Sequence, residues 1–459
     1  MGDDYRTFLK TKAIRANKRG MATAPDLASH LFPFQKHCVK FALEAGSAAN
    51  FLSTGLGKTA CELEWSAHAA DATNGTALIL APLSVGWQIA KEGQRWGYDT
   101  RVIRSQDDVR KGINICNYDR LELIEPASFG AVALDESSIL KSFSGKTSRS
   151  LIAAFANHQF RLSATATPAP NDHMELGQQS NFLGIMPASE MLMRWFINDT
   201  ATASQQWRLK RHAIHDFWDW VASWARMAEM PSDITGNKSD DERFILPELK
   251  IIRHHAEASP VKGTDLFGSV DMSATKMHDV KRTTAGARAK QIADLVISDS
   301  EPWMIWCDTD YEADAIRDLV PDIREVRGSH SSEHKETTLR EFSDGSIRVL
   351  LSKPSICGFG MNWQHCARTA FVGRSFSYET WFQAVRRFWR FGQTRNVEVH
   401  LIVAEGEDAI ARVIDRKASD HADMRIAMAK AMSYATGRTV KNRMAYHPTH
   451  KAGVPQWII

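Results

Sequence analysis

Residues 51–65 read FLSTGLGKTACELEW. Apolar residues lead into a glycine-rich turn, and a helix-compatible run follows Lys58. The fold depends on whether Gly57-Lys58-Thr59 closes a phosphate-binding loop or is a turn that happens to carry a lysine. The loop pattern is a glycine, four residues, then Gly-Lys-Ser/Thr. Its first glycine would stand at 52, where the chain has Leu52, so the strict pattern fails. The strand–loop–helix context is nevertheless the one such a loop needs. Thr54, Gly55 and Gly57 would let backbone N–H groups approach oxygen anions, and the helix N-terminus would add its partial positive charge. Lys58 would bridge the β- and γ-phosphates of ATP, and the Thr59 hydroxyl would hold Mg²⁺. Taken alone, the stretch leaves cradle and plain turn level.

Around it the chain alternates. Short apolar runs at 76–80, 113–116, 131–135 and 160–164 read as buried strands, with helical stretches such as 85–96 between them. A second alternation, with runs at 303–307, 323–326, 347–352, 367–373 and 397–404, begins near Trp303. Strand, crossover and strand again predict an α/β protein with two parallel-sheet lobes. Residues 186–245 differ: Trp195, Trp207, Trp218, Trp220 and Trp224 fall on helical spacing with no strand run. A helical insertion between the lobes is expected there, its aromatics serving as core in preference to a base-stacking platform. SDITGNKSDDERF, 232–244, reads as an exposed loop.

Composition excludes little. The chain has 459 residues, 43% hydrophobic and 24% charged, with a net charge of +3 that neither demands nor forbids an acidic partner. Charge placement says more. The first twenty residues carry six Lys/Arg against two Asp, and no acid follows Asp423 while Arg425, Lys430, Arg438, Lys441, Arg443 and Lys451 do. Such ends suit nucleic acid, and equally a solvated terminus. The six cysteines lack zinc-site spacing and fit reduced thiols in a cytoplasm. No run is long and apolar enough for a membrane span, and the N-terminus lacks a signal-peptide pattern, so no membrane partner and a cytoplasmic location are expected.

Three further segments break the tie at the loop. In VALDESSILKS, 132–142, Asp135 and Glu136 end an apolar strand where a loop's Mg²⁺ ligand and water-activating acid would stand. RLSATATPAPND, 161–172, follows the next strand. WFQAVRRFWRFGQTRNV, 381–397, places Arg387 and Arg390 on one helical face, with Gln383 before them and Gly392-Gln393 after.

With these in place the chain resembles superfamily 2 helicases and translocases, and within them the Swi/Snf-like ATPases. The segments that carry the resemblance run in the family's order: 31–43 LFPFQKHCVKFAL, 52–59 LSTGLGKT, 78–97 LILAPLSVGWQIAKEGQRWG, 114–121 NICNYDRL, 134–142 LDESSILKS and 162–183 LSATATPAPNDHMELGQQSNFL. In the second half, 349–366 VLLSKPSICGFGMNWQHC and 383–403 QAVRRFWRFGQTRNVEVHLIV continue it, the last being the most specific. The resemblance implies two RecA-like lobes with ATP between them. The expected division is a basic segment 1–24, an ATP-binding lobe 25–185, the insertion 186–245, a second lobe 246–437 and a basic tail 438–459. By motif position, Gln35 would read adenine, Thr54, Gly55, Gly57, Lys58 and Thr59 would hold the phosphates, Thr59 and Asp135 would hold Mg²⁺, and Glu136 would activate water. Arg387 and Arg390 would be arginine fingers, Arg390 the direct one, while Gly358 and Gly360 would let backbone approach phosphate. Ser138, Ser163 and Thr165 would couple ATP state to nucleic-acid grip.

The chain departs from the family at Leu52 and at Ser138, which replaces the histidine of the acidic box. A compact chain of this kind looks like a phage or prophage version. The implied activity is ATP-dependent translocation on DNA, duplex and without sequence preference. An RNA helicase of the same superfamily and a nucleic-acid-binding assembly factor with weak ATPase are the alternatives, and no motif names a recruiting protein.

Overall fold

The computed structural model describes residues 14–83, 85–141, 145–169, 172–199, 206–256, 274–357, 361–373, 378–404 and 425–434. Two parallel sheets organise them. The first contains β1 (Ser47–Leu52), β2 (Thr76–Ala81), β3 (Thr100–Val102), β4 (Gly112–Asn117), β5 (Ala131–Asp135), β6 (Phe160–Ala164) and β9 (Ala225–Ala228), in the order β3-β4-β2-β5-β6-β1-β9. An antiparallel pair, β7 (Phe196–Asp199) and β8 (Gln206–Leu209), stands apart from it. The second sheet runs β10-β15-β14-β11-β13-β12, from β10 (Leu249–Ala256), β11 (Trp303–Trp306), β12 (Ile323–Val326), β13 (Val349–Ser352), β14 (Arg368–Phe371) and β15 (Val397–Ala404).

The central strands β2 and β5 of the first sheet and β11 and β13 of the second are buried throughout, which is why they read as apolar runs. Side chains alternate between the faces. Leu78, Leu80, Val132 and Leu134 enter one core with Phe155, Phe182 and Trp220, while Ala77, Ile79, Ala131 and Ala133 enter the other with Phe34, Leu63 and Trp65. In the second sheet Met304 and Trp306 face one core, and Trp303 and Ile305 the other. The order β5-β6-β1 matters most for the site. It brings the carboxyl ends of three strands side by side, where ligands of open parallel sheets bind.

Residues 186–245 correct the expectation of a strandless helical insertion. β9 pairs in parallel with β1, Ala49 against Ala225 through Leu52 against Ala228, and so extends the first sheet. The tryptophans are core: Trp195, Trp218, Trp220 and Trp224 are buried in the first lobe, and Trp207 packs against that cluster. SDITGNKSDDERF is not an exposed loop either. A short helix (Ser232–Thr235) and a 3-10 turn (Lys238–Phe244) bury Ser232, Ile234, Asp241 and Phe244. Asp241 ties the segment together by accepting from the Ser232 backbone N–H at 2.8 Å and from its hydroxyl at 2.7 Å.

Residues 425–434, expected in the second lobe, are helical and pack on the first: Met428 and Met432 are buried in its core with Phe217 and Trp220. Residues 1–13 of the basic N-terminal segment and the whole tail 438–459 lie outside the described residues. Among the described residues no helix is long and apolar enough to cross a membrane.

Candidate active site

The loop after β1 turns through two left-handed glycines, Gly55 at φ 94° and Gly57 at φ 76°. Both positions also need the missing side chain. A Cβ on Gly55 would lie 2.8 Å from the Phe391 backbone N, and one on Gly57 2.2 Å from Gln35 Nε2. The helix Lys58–Asp71 begins at once, so its unpaired first-turn N–H groups open toward the loop. Lys58 Nζ donates to the Leu52 carbonyl at 3.3 Å. Burial lowers the Lys58 pKa, Glu136 and Asp135 oppose that, and Arg390 adds to it.

Asp135 closes β5, and the Tyr118 hydroxyl donates to its carbonyl at 2.7 Å. Among the described residues Glu136 is the only non-glycine with positive φ, 54°. A left-handed glutamate costs energy unless its surroundings hold it, and such strain gathers at functional sites. Burial, then the charge of Glu136, pushes the Asp135 carboxyl up to about 7, against the pull of Lys58, the Glu136 N–H and Arg387. Glu62, one helical turn beyond Lys58, is fully buried beside Asp135. Burial and then Asp135 raise its pKa well above the usual range.

The second lobe contributes the arginines. They follow the helix Tyr378–Val385. Arg387 is buried, donating from Nε to the Gln383 carbonyl at 3.0 Å, from Nη2 to Gln383 Oε1 at 3.1 Å and from Nη1 to the Met361 carbonyl at 3.4 Å. Arg390 Nη1 donates to the same Met361 carbonyl at 3.3 Å. Burial, then Arg387, brings the Arg390 pKa down to about 10, while Glu136 and Asp135 act in the opposite sense. A line of hydrogen bonds crosses the cleft. Thr165 Oγ1 donates to Glu136 Oε2 at 3.4 Å and accepts from the Thr167 N–H at 3.1 Å, and Gln383 Nε2 donates to Thr167 Oγ1 at 3.4 Å.

Gln35, Thr54, Gly55, Gly57, Lys58, Thr59, Asp135 and Glu136 from the first lobe line one cavity of about 360 Å³ with Arg387 and Arg390 from the second. At its other end stand Phe32, Phe244 and Phe391, with Phe244 and Phe391 stacked at 4.8 Å across the two lobes. Gln35 Oε1 accepts from the Phe32 N–H at 2.9 Å and its Nε2 donates to the Leu56 carbonyl at 2.9 Å. The amide keeps one donor and one acceptor position for a ligand. A hydroxyl and a carboxylate on the cavity wall, Thr59 and Asp135, are hard oxygen donors of the kind that suit Mg²⁺.

Two of the expected coupling residues, Ser138 and Ser163, lie off this cavity. Ser138 lines a second cleft cavity, of about 460 Å³, together with Glu136, Lys141 and Lys335. Ser163 is buried in β6 with its hydroxyl unpartnered. Gly358 and Gly360 lie outside the described residues. Sequence reading missed Glu62, Thr167, Phe244 and Phe391. Glu62 had a signal, since it shares a helical face with Lys58 four residues earlier. Phe391 directly follows Arg390, but nothing local marks Phe244 as part of the cavity.

No family model and no curated protein matches the sequence. Solved structures do share the fold. Dbp5 from S. cerevisiae, bound to RNA and ADP BeF3, superposes at TM-score 0.56 with 10% identity, covering 87% of this chain and 93% of that one. The SWI2/SNF2 ATPase core of Sulfolobus solfataricus, in complex with double-stranded DNA, aligns at TM-score 0.40 with 16% identity over 91% and 97% of the two chains. The fold is therefore two RecA-like parallel-sheet domains of the kind found in helicase cores.

Proposed function

We propose that the chain is an ATP-driven translocase that moves on duplex DNA without reading sequence. The observation that supports this best is the meeting in one cavity of Lys58, Thr59, Asp135 and Glu136 with Arg387 and Arg390 of the other lobe. Lys58 and the loop N–H groups would take the β- and γ-phosphates. Thr59 and Asp135 would hold Mg²⁺, which neutralises charge on the phosphate oxygens. Glu136 would orient the attacking water and accept its proton. As the new P–O bond forms, the bond from the γ-phosphoryl group to ADP breaks. Arg390, steadied with Arg387 by the Met361 carbonyl, would face the charge that spreads over the transferring group.

Glu136 lines both the nucleotide cavity and the second cleft cavity, which carries Lys141 and Lys335. That supports the second cleft as part of the backbone track, with Ser138 on its wall, so that hydrolysis and grip share one residue. Contacts to phosphate and sugar position a protein without specifying sequence. The Pro-Leu-Ser segment and the spacing of the two arginines favour duplex DNA over RNA. The described cysteines are all free and buried, which suits a reducing cytoplasm.

ATP turnover measured in parallel with no nucleic acid, single-stranded DNA, duplex DNA and RNA tests the reading. Duplex DNA is expected to stimulate at least as strongly as single strands, and added salt to weaken binding steeply. Stimulation by RNA alone would replace the DNA reading with an RNA helicase. Absence of hydrolysis under every condition would leave a nucleic-acid-binding assembly factor.

A further inference from the structure

Arg425 belongs to no motif, follows the last strand of the second sheet, and sits beneath the phosphate loop of the first lobe. It is buried, 7% exposed. Its Nη2 donates to the hydroxyl of Ser53, the first residue of the loop, at 2.8 Å. Its Nε donates to Glu229 Oε1 at 2.9 Å, and Nη2 also meets Glu229 Oε2. Ser53 and Glu229 directly follow β1 and β9, and the Ser53 N–H donates to the Ala228 carbonyl at 2.9 Å. One guanidinium therefore caps the ends of two adjacent strands. Met428 and Met432, on the same helical face as Arg425, anchor it in the first-lobe core.

The remaining face of the guanidinium lies over the ring of Phe382, 5.1 Å from its centroid. Phe382 belongs to the second lobe, on the helix Tyr378–Val385, and also takes the cation of Arg386 at 5.0 Å. Its neighbour Gln383 bonds to Thr167 in the first lobe and to Arg387.

We infer that Arg425 is a positioning residue that links the phosphate loop to lobe closure. The inference rests on the ATPase reading above. When the lobes part, the bonds to Ser53 and Glu229 stay, because all three groups ride on the first lobe. Only the contact with Phe382 is lost. A cation over an aromatic ring is worth more when water is excluded, so this contact favours the closed form. Through its standing bond to Ser53, Arg425 carries that contact to the start of the loop before Lys58. The chemistry belongs to Arg rather than Lys: two donors in one plane grip Ser53 and Glu229 while the flat face stays available for the ring.

The test is a double-mutant cycle on the full chain with Arg425→Gln, Phe382→Leu and both together. Turnover at saturating duplex DNA, KM for ATP, affinity for a fluorescent ATP analogue and the nucleotide-free thermal midpoint are read for each. Phe382→Leu is expected to lower turnover roughly threefold to tenfold at unchanged analogue affinity and a near wild-type midpoint. Arg425→Gln is expected to lower turnover and to weaken the analogue as well, because Ser53 is released. The double variant should lose less than the product of the two single losses, since both remove the same contact. Should Arg425→Gln fail to fold, Phe382→Leu carries the test alone, and turnover at the wild-type rate in that variant overturns the inference. Losses that multiply independently would overturn the inference, as would a variant whose midpoint falls while turnover and KM stay at wild type. If the wild-type chain neither binds the analogue nor hydrolyses ATP, the ATPase reading has failed and this inference falls with it. Wild-type activity with indifferent variants sinks the inference alone.

Discussion

The first lobe meets the cleft with two carboxylates, Asp135 and Glu136, and the second with two guanidiniums, Arg387 and Arg390. Each is a pair of like charges held out of water, and Asp135, Arg387 and Arg390 shift accordingly. Burial and Glu136 raise Asp135 to about 7, and burial and Arg387 lower Arg390 to about 10. Each pair is also eased by the other lobe, because Arg387 pulls Asp135 down while Glu136 and Asp135 pull Arg390 up. The pairs differ in how they are held. The acids sit at a strand end braced by Tyr118 and by the strained backbone of Glu136. The arginines hang from a helix end and lean on the carbonyl of Met361. On the proposed reading, the binding groups are built into one lobe, and completing the site requires the other.

The largest effects should separate along that line. Lys58→Ala is expected to remove nucleotide binding and turnover together. Glu136→Gln keeps shape and loses the base, so it should bind the nucleotide and turn over slower by roughly 10²–10⁴. Arg390→Ala should cut turnover on the order of 10³ or more with nucleotide affinity little changed. Arg387→Ala should in addition destabilise the fold by about 1–3 kcal/mol, because it leaves the buried carbonyl and side-chain oxygens of Gln383 without their donor. Phosphate release and fluorescent-nucleotide titration check the first three, and chemical denaturation the fourth. A folded Arg390→Ala protein hydrolysing ATP at the wild-type rate would reduce Arg390 to a cation bound to Met361 and erase the contrast between the lobes.

The pH dependence probes Asp135. The Asp135 pKa is 3.8 in an unperturbed chain and about 7 in the fold, so across that interval the folded state binds the extra proton. Stability of the nucleotide-free protein should therefore be fullest below the lower value and decline as pH rises through the upper one. Glu62, raised for the same reason, acts in the same direction. Mg²⁺ requires the charged carboxylate, so its binding should release a proton and tighten as pH rises toward about 7. Thermal midpoints across this range, wild type against Asp135→Asn and with or without Mg²⁺, measure both slopes. Equal slopes in the two proteins would remove Asp135 as the titrating group.

How much of this was legible in the sequence follows from burial. β5 and β6 are buried on both faces and read as apolar runs, so Asp135 and Thr165 were found at their ends. β1 is equally buried, but its residues are SAANFL, and Asn50 within it has an unpartnered buried amide; only the loop that follows gave it away. β9 is four residues at a sheet edge, with Arg226 laid over the Phe41 ring, and has no apolar period to detect. The first-lobe site and the arginines lie in contiguous segments whose spacing carries the chemistry. Phe244 and Arg425 do not: Arg425 touches Ser53 across 372 residues, and only folding brings them together.

The smallest effect tests the other end of the cavity, where the lobes meet without charge. Phe244 of the first lobe stacks on Phe391 of the second at 4.8 Å, and Phe32 stands edge-on to both. An aromatic pair is worth about 0.5–1.5 kcal/mol beyond the area it buries, or roughly twofold to tenfold in a binding constant. Phe391→Leu keeps an apolar side chain near Gly55 and removes the ring. It should weaken nucleotide binding by an amount in that range while leaving turnover at saturation close to wild type. The loss should also be insensitive to salt, since apolar contacts are not screened, whereas the cost of altering the arginine–carboxylate face should change with ionic strength wherever the cleft admits water. Nucleotide titrations of wild type and Phe391→Leu at low and high salt decide it. A loss that grows or shrinks with salt would mean that the Phe391 ring acts by placing Arg390, its neighbour in the chain, and the two ends of the cavity would then be one unit.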